Sequence, residues 1–143
     1  MILLDTTVLV YAVGAPHRFR DPCRRLVAAI ETGLAATTTT QVIQEFVHVR
    51  SRKHGRSDAR TLGVAYLDLL KPLVVVDEDG LRDGLEIFEE SDRLGAFDSL
   101  IAAAALREGA AVVSADTAFG AVPRLEHVVP DDAGVAELLG SGP

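Results

Sequence analysis

The first twelve residues, MILLDTTVLVYA (Met1–Ala12), contain the pattern that decides the fold. A short apolar run, Ile2–Leu4, is followed at once by an acid, Asp5, and then by residues with helical periodicity. Short apolar runs are typical of strands that are covered on both faces, as in parallel sheets flanked by helices. The N terminus therefore predicts a buried strand that leads directly into a helix, with Asp5 at the junction.

The same alternation of short apolar runs and helical stretches continues along the chain. The predicted strands are Ile2–Leu4, Leu34–Thr37, Leu73–Val76, Ala111–Val113 and His127–Val129. The predicted helices are Thr7–Val13, Asp21–Glu31, Gln41–Arg52, Asp58–Leu70, Gly80–Arg93 and Phe97–Glu108. This order predicts the α/β class: a three-layer α/β/α domain with a central, mainly parallel sheet of about five strands.

Length and composition limit the domain organisation and the possible partners. A chain of 143 residues is long enough for one core, so we expect a single domain over residues 1–139 and a loose tail over 140–143. Hydrophobic residues make up 48% and the mean hydropathy is +0.23. Such a surplus favours a surface covered by a partner, although many monomers are comparable.

Cysteine usage and the N terminus predict a location. Cys23 is the single cysteine, which excludes an intramolecular disulfide and is typical of a reduced compartment. The N terminus has no signal-peptide pattern, and the longest apolar run, Leu100–Leu106, is too short to cross a bilayer. We therefore expect a cytoplasmic protein without membrane contact, in which Cys23 is an inert core thiol.

The charge is unevenly distributed. The net charge is −7, yet nine of the 14 basic residues lie between His17 and Arg60. A local basic patch is what binds phosphate, even on an acidic chain. The candidate nucleic-acid-binding residues of this patch are Arg50, Arg52, Lys53 and Arg56. The alternative is that they belong to solvated helix faces.

Two of the four candidate catalytic acids, Asp5 and Asp116, follow directly on predicted strands. In open α/β sheets, ligands bind at the carboxyl ends of the strands, so both acids stand where a site is expected. Each could instead cap the turn or helix that follows it.

Glu45 and Asp98 lie on predicted helices. Glu45 falls on the apolar stripe formed by Val42, Phe46 and Val49, where a carboxylate would lose hydration and require a cation. The alternative is an ion pair with an arginine. Asp98 lies in the first turn of a predicted helix, and the apolar run that follows it predicts that this helix is buried. The helix dipole alone can also explain an acid in a first turn.

Four converging carboxylates would repel one another unless divalent cations neutralise them. Mg²⁺ and Mn²⁺ favour oxygen ligands of this kind. The sequence has no zinc-binding, P-loop or dinucleotide-binding motif. The acids therefore predict a hard-cation site.

In this order and context, these residues resemble the PIN-domain family and, within it, the VapC-type toxins of bacterial toxin–antitoxin pairs. The matching segments are residues 1–12 around Asp5, the third-helix region around Glu45, FDSLIAAAA at 97–105 and SADTAF at 114–119. Two positions depart from the usual family pattern, since Thr7 stands where Asn is frequent and Ser114 where Thr is frequent. A further acid that sometimes follows the last motif is absent, which leaves the number of metal ions open.

The resemblance implies a PIN-like fold and hydrolysis of RNA, such as tRNA, to leave a 5′-phosphate. Asp5, Glu45, Asp98 and Asp116 would hold one or two Mg²⁺ or Mn²⁺ ions, with Thr6, Thr7 and Ser114 in support. It also implies a homodimer and a VapB-type antitoxin, in a heterotetramer or larger complex that contacts DNA only through the antitoxin.

Two other functions remain open at the level of sequence. One is a catalytically silent PIN-like module that only binds or regulates. The other is an aspartyl phosphate-transfer domain of the haloacid dehalogenase or receiver type. The dehalogenase type prefers a second Asp at the position of Thr7. The receiver type needs an adjacent acidic pair early in the chain and a lysine after the last strand.

Overall fold

Four short parallel strands form the central sheet of a computed structural model that describes residues 1–140. The strands are β1 (Ile2–Leu4), β2 (Ala36–Thr37), β3 (Ala111–Val113) and β4 (His127–Val128). The α-helices are α1 (Thr6–Val13), α2 (Arg20–Glu31), α3 (Thr40–Leu70), α4 (Glu78–Glu90), α5 (Ala96–Glu108) and α6 (Asp132–Leu138), and a 3₁₀ helix spans Thr117–Ala121. Of the predicted tail, only Gly140 lies within the described residues.

The sheet has the strand order β2-β1-β3-β4, and every pairing is parallel. Leu3 of β1 is in register with Thr37 on one side and Val112 on the other. Helices cover the sheet in three layers, which confirms the predicted α/β/α class.

The predicted strand Leu73–Val76 is reduced to a single parallel bridge between Val74 and Thr39. The Val74 amide donates to the carbonyl of Thr38 over 2.9 Å. The next residue, Val75, is 74% exposed, so this segment is not covered on both faces like the inner strands. The apolar run therefore correctly predicted that this segment pairs with the rest of the fold as a strand would, but the prediction of a full strand was wrong.

The predicted break between the third and fourth helices appears as a kink inside α3. Gly55 has φ 82° and ψ 170°, a conformation that is essentially restricted to glycine. By contrast, α6 was not predicted, because seven residues are too few for a clear helical period.

The alanine-rich helix α5 packs in the interior. Ile101–Ala105 are all buried, as the apolar run predicted, and Gly109 ends the helix with φ 62°. Gly84 of α4 lies against α5, where an added Cβ would be 3.1 Å from the Leu100 Cα. This close approach brings the backbones of α4 and α5 into direct contact at Leu100.

Cys23 is fully buried, and burial raises the pKa of its thiol to about 12, so it is a core thiol at neutral pH. Within residues 1–140, none of the helices combines the length and the apolar character needed to span a bilayer.

Candidate active site

Four carboxylates from different parts of the sequence meet at the carboxyl end of the sheet. Asp5 follows β1, Asp116 follows β3, Glu45 lies in α3 and Asp98 lies in the first turn of α5. The pKa of Asp98 is raised to about 6, first because the side chain is partly buried and then by the charges of Asp5, Asp116 and Glu45. The four predicted acids therefore interact electrostatically, although they are up to 111 positions apart.

Asp5 is held by two hydroxyl groups. The residue is 4% exposed, and its Oδ2 accepts a hydrogen bond from Thr7 Oγ1 at 2.9 Å and from Ser114 Oγ at 2.6 Å. Asp5 occupies the N-cap position of α1, but its side chain makes no capping hydrogen bond. Helix capping therefore does not account for this acid.

Ser114 connects Asp5 to Asp116. Its Oγ donates to Asp5 and accepts from the Asp116 amide at 3.0 Å. Asp116 Oδ1 in turn accepts from the Ala118 amide at 2.9 Å, so this acid does cap the 3₁₀ helix. Capping and membership of the acidic cluster are compatible here, because Asp116 still acts on the pKa of Asp98.

Glu45 does not lie on a buried apolar stripe, so this prediction from the sequence was wrong. Val42 and Phe46 are buried, but Glu45 is exposed and Val49 is 37% exposed. At 3.6 residues per turn, Glu45 lies roughly 60° around the helix from Val42, at the margin of the buried face rather than within it. Its carboxylate is not buried in the core, and it forms no ion pair with an arginine in the described part of the chain.

A hydroxyl group positions Glu45 instead. Thr6 Oγ1 donates to Glu45 Oε2 over 2.6 Å and so joins the start of α1 to α3. Thr7 has a similar role at Asp5, because its Oγ1 donates to Asp5 and accepts from the Ala115 amide at 3.0 Å. Thr6, Thr7 and Ser114 thus all contact the acids or their neighbouring backbone.

The donor set fits a hard divalent cation. Within residues 1–140, no three His, Cys, Asp or Glu side chains form a ready-made set of direct ligands. Mg²⁺ usually keeps several waters and binds to one or two carboxylates, so a closed protein cage is not required. Burial and then the charges of the neighbouring acids raise the pKa of Asp98, and a bound cation would offset both effects by favouring the ionised carboxylate.

The four predicted RNA-binding residues separate into two groups. Arg50 is largely buried: its Nε donates to Asp58 at 2.6 Å and its Nη1 to the Val13 carbonyl at 3.0 Å. This is a structural role across the α3 kink, which the sequence did not indicate. Arg52, Lys53 and Arg56 are exposed around Gly55.

Two residues near the acids were missed. Arg93 Nη2 donates to Thr117 Oγ1 at 3.3 Å, next to Asp116. Phe97, next to Asp98, is 80% exposed. Periodicity could not reveal Phe97 as a surface residue, because apolar residues occur on every side of α5.

The chain is similar to several known proteins over most of its length. A family model described as PIN domain matches residues 2–125. The chain is 52% identical to Ribonuclease VapC7 of Mycobacterium tuberculosis, with 98% of this chain and 99% of the relative covered.

Two solved structures share the fold. One is VapBC2 from Rickettsia felis bound to a DNA fragment from its promoter, with a TM-score of 0.71, 20% identity and coverage of 89% of this chain and 97% of that chain. The other is VapC20 of Mycobacterium tuberculosis, a sarcin-ricin loop cleaving toxin, with a TM-score of 0.70, 20% identity and coverage of 88% and 98%.

Proposed function

The chain belongs to the PIN domain family, and we propose that it is a VapC-type endoribonuclease that hydrolyses RNA phosphodiester bonds at the four-carboxylate site. The observation that carries the proposal is the convergence of the four acids at the carboxyl end of the sheet, where burial and then the charges of Asp5, Asp116 and Glu45 raise the pKa of Asp98. Four acids that share one electrostatic environment match the needs of metal-assisted phosphodiester hydrolysis. The similarity to a relative named as a ribonuclease supports the same reaction.

Asp5, Glu45, Asp98 and Asp116 would hold one or two Mg²⁺ or Mn²⁺ ions. When bound, such ions activate a water for attack and stabilise the charge that develops on the leaving oxygen. Thr7 and Ser114 orient Asp5 through hydrogen bonds of 2.9 and 2.6 Å, and Thr6 orients Glu45. These hydroxyl groups reduce the reorganisation that each carboxylate needs when the site is loaded.

Bulk tRNA provides the first test of the activity. We expect cleavage in the presence of Mn²⁺ or Mg²⁺, none in the presence of a chelator, and a loss of at least a hundredfold in Asp98→Asn, since the metal ligands act as a unit. Asp21→Asn is the matched control, because Asp21 also lies in the first turn of a helix but is exposed and outside the cluster.

Two results would contradict this mechanism. Cleavage that persists with the chelator would exclude the metal. Cleavage that is equal in Asp98→Asn and in the parent chain would exclude the carboxylate site. If neither tRNA nor ribosomal RNA is cleaved while Mn²⁺ binds, the catalytically silent PIN-like module becomes the better description.

We also propose a VapB-type antitoxin as partner and a homodimer as the unit that it binds. Three apolar side chains at helical spacing on α4 are about half exposed and offer a face for a partner: Leu81, Leu85 and Phe88. A basic side chain of the antitoxin would be attracted to the acidic cluster, where it would replace the charge of the metal ion. DNA would be contacted only through the antitoxin.

The antitoxin proposal has its own test. We expect the purified complex to cleave RNA much more slowly than the free chain, and activity to return when the antitoxin is digested. A complex that cleaves at the rate of the free chain would exclude inhibition at the acidic site.

A further inference from the structure

A cavity of about 510 Å³ opens beside the acidic cluster, between the beginnings of α3 and α5. One wall consists of Phe97, Leu100 and Ile101 from α5. The opposite wall contains polar side chains of α3, namely Gln41, Gln44 and His48. Glu45 lines the cavity and also belongs to the acidic cluster, so the cavity is continuous with the candidate active site.

The side chains that line the cavity indicate which kind of ligand it would bind. Among the described residues no Lys or Arg lines this cavity, and Glu45 is acidic, so a phosphate group is disfavoured here. An apolar wall facing amide and imidazole groups instead suits a flat, uncharged ring with hydrogen-bonding edges. The volume lies within the usual range for small-molecule pockets, about 300–1,000 Å³.

Phe97 gives this cavity an aromatic surface next to the candidate catalytic acid Asp98. The residue is 80% exposed, although an aromatic side chain normally gains stability by burial. It also directly precedes Asp98, in the same first turn of α5. Exposed aromatic rings next to a nucleic-acid site are the usual platform on which unpaired RNA bases stack.

We propose that this cavity is a nucleobase subsite, in which an unpaired base next to the scissile phosphate stacks on Phe97. The edge of the base then faces Gln41, Gln44 and His48, which can donate and accept hydrogen bonds. The inference rests on the proposed ribonuclease function. It adds to that function a specific place for one unpaired base of the substrate, because a base within a duplex cannot be inserted into the cavity.

Fluorescence tests the stacking directly, because the chain contains no Trp. Phe97→Trp introduces a single indole, and the Asp98→Asn background prevents cleavage during the measurement. We expect bulk tRNA and the four RNA homohexanucleotides, titrated in Mg²⁺, to quench this fluorescence to saturation. Val75→Trp in the same background is the matched control, because Val75 is 74% exposed and does not line the cavity, and its indole should not respond.

Kinetics separate substrate binding from chemistry in the otherwise unchanged enzyme. We expect Phe97→Ala to raise KM for the cleaved RNA by about tenfold or more with little change in kcat, as is typical for the loss of one stacked base. Phe97→Tyr should retain KM within about threefold, and Val75→Ala should have no effect, since Val75 does not line the cavity. The melting temperature should be unchanged in all three variants.

Several outcomes would overturn the subsite. One is no response of the indole at position 97 to any of these RNAs. A second is an equal loss of activity in Phe97→Ala and Phe97→Tyr. A third is a change in the fluorescence at position 97 with protein concentration alone, which would show that a second copy covers this face. The ribonuclease proposal would survive each of these results, because it depends on the effects of the chelator and of Asp98→Asn.

Discussion

Ser114 is a small residue that organises much of the candidate site. It is fully buried at the end of β3, donates to Asp5 at 2.6 Å and accepts from the Asp116 amide at 3.0 Å. A hydrogen bond to a carboxylate is stronger than one between neutral groups. The serine hydroxyl therefore holds two of the acids in a fixed relation.

The contribution of Ser114 can be measured by removing its hydroxyl group. We expect Ser114→Ala to lower RNA cleavage or Mn²⁺ affinity by about 10- to 100-fold, the usual cost of losing a group that orients a metal ligand. Ser114→Thr retains the hydroxyl and should stay within a few fold of the parent chain. Calorimetric Mn²⁺ titration checks this, and equal affinities for the alanine variant and the parent chain would contradict it.

Asp98 should make the metal-free protein sensitive to pH. Its pKa is about 6 in the folded chain and 3.8 in the unfolded reference, so folding favours the protonated form. The free energy of unfolding therefore falls as the pH rises from about 4 to about 6, and the loss persists at higher pH. With chelator at pH 7.5, Asp98→Asn should melt at a higher temperature than the parent chain, whereas the two should converge below pH 4.

Asp21→Asn again provides the control for this prediction and should show no such gain. Mn²⁺ should then stabilise the parent chain more than Asp98→Asn, because a ligand stabilises the state that binds it. A difference in melting temperature between Asp98→Asn and the parent chain that does not vary with pH would contradict the shift.

At the scale of the elements, α3 depends on one glycine and one ion pair. Gly55 adopts φ 82° and ψ 170°, and Arg50 and Asp58 are joined across it by a contact of 2.6 Å. The hydrogen bond from Arg50 lowers the pKa of Asp58. The kink is therefore defined both by the backbone and by side chains on either side of it.

Replacing this glycine should destabilise the fold without touching the acids. We expect Gly55→Ala to cost about 1–3 kcal/mol of unfolding free energy, because a residue with a Cβ is strained in this conformation. Gly120→Ala is the control, since its Cβ would only be in ordinary contact with His127 at 3.5 Å. Urea denaturation measures both variants, and equal stabilities would show that α3 can straighten at no cost.

Charge is a property of the whole molecule, and here its distribution matters more than its sum. The chain has a net charge of −7, while Arg52, Lys53 and Arg56 are exposed together around the kink of α3. Arg52 follows Glu45 by seven residues, which is roughly 10 Å along a helix. A phosphate backbone that extends from the acids could reach this basic group.

The salt dependence of RNA binding tests whether the RNA backbone contacts these three basic residues. We expect Arg52→Ala, Lys53→Ala and Arg56→Ala, combined, to weaken RNA binding and to reduce the slope of log K against log salt by about 0.7 for each phosphate that is no longer neutralised. Arg82→Ala removes an exposed arginine of α4 and should leave the slope unchanged. A triple variant with the parent slope would exclude these residues from RNA binding.

Much of the fold was predictable because it depends on local pattern. The strand Ile2–Leu4 and the break in α3 followed from apolar runs and from glycine, and both were confirmed. The strand Leu73–Val76 was not, because pairing depends on a neighbour and on cover that a local run does not specify. The helix α6 was too short to show a period.

The identity of the four acids and their place after strands and in helices were determined by the sequence itself, since residue type and local periodicity are local properties. The tertiary structure alone decided which groups hold them. It exposed Glu45 and gave it Thr6 as a partner, tied Arg50 to Asp58, and left Phe97 in solvent beside a cavity. The physical reason is that exposure, hydrogen bonding and pKa depend on which groups the rest of the chain brings together, and sequence distance does not encode that proximity.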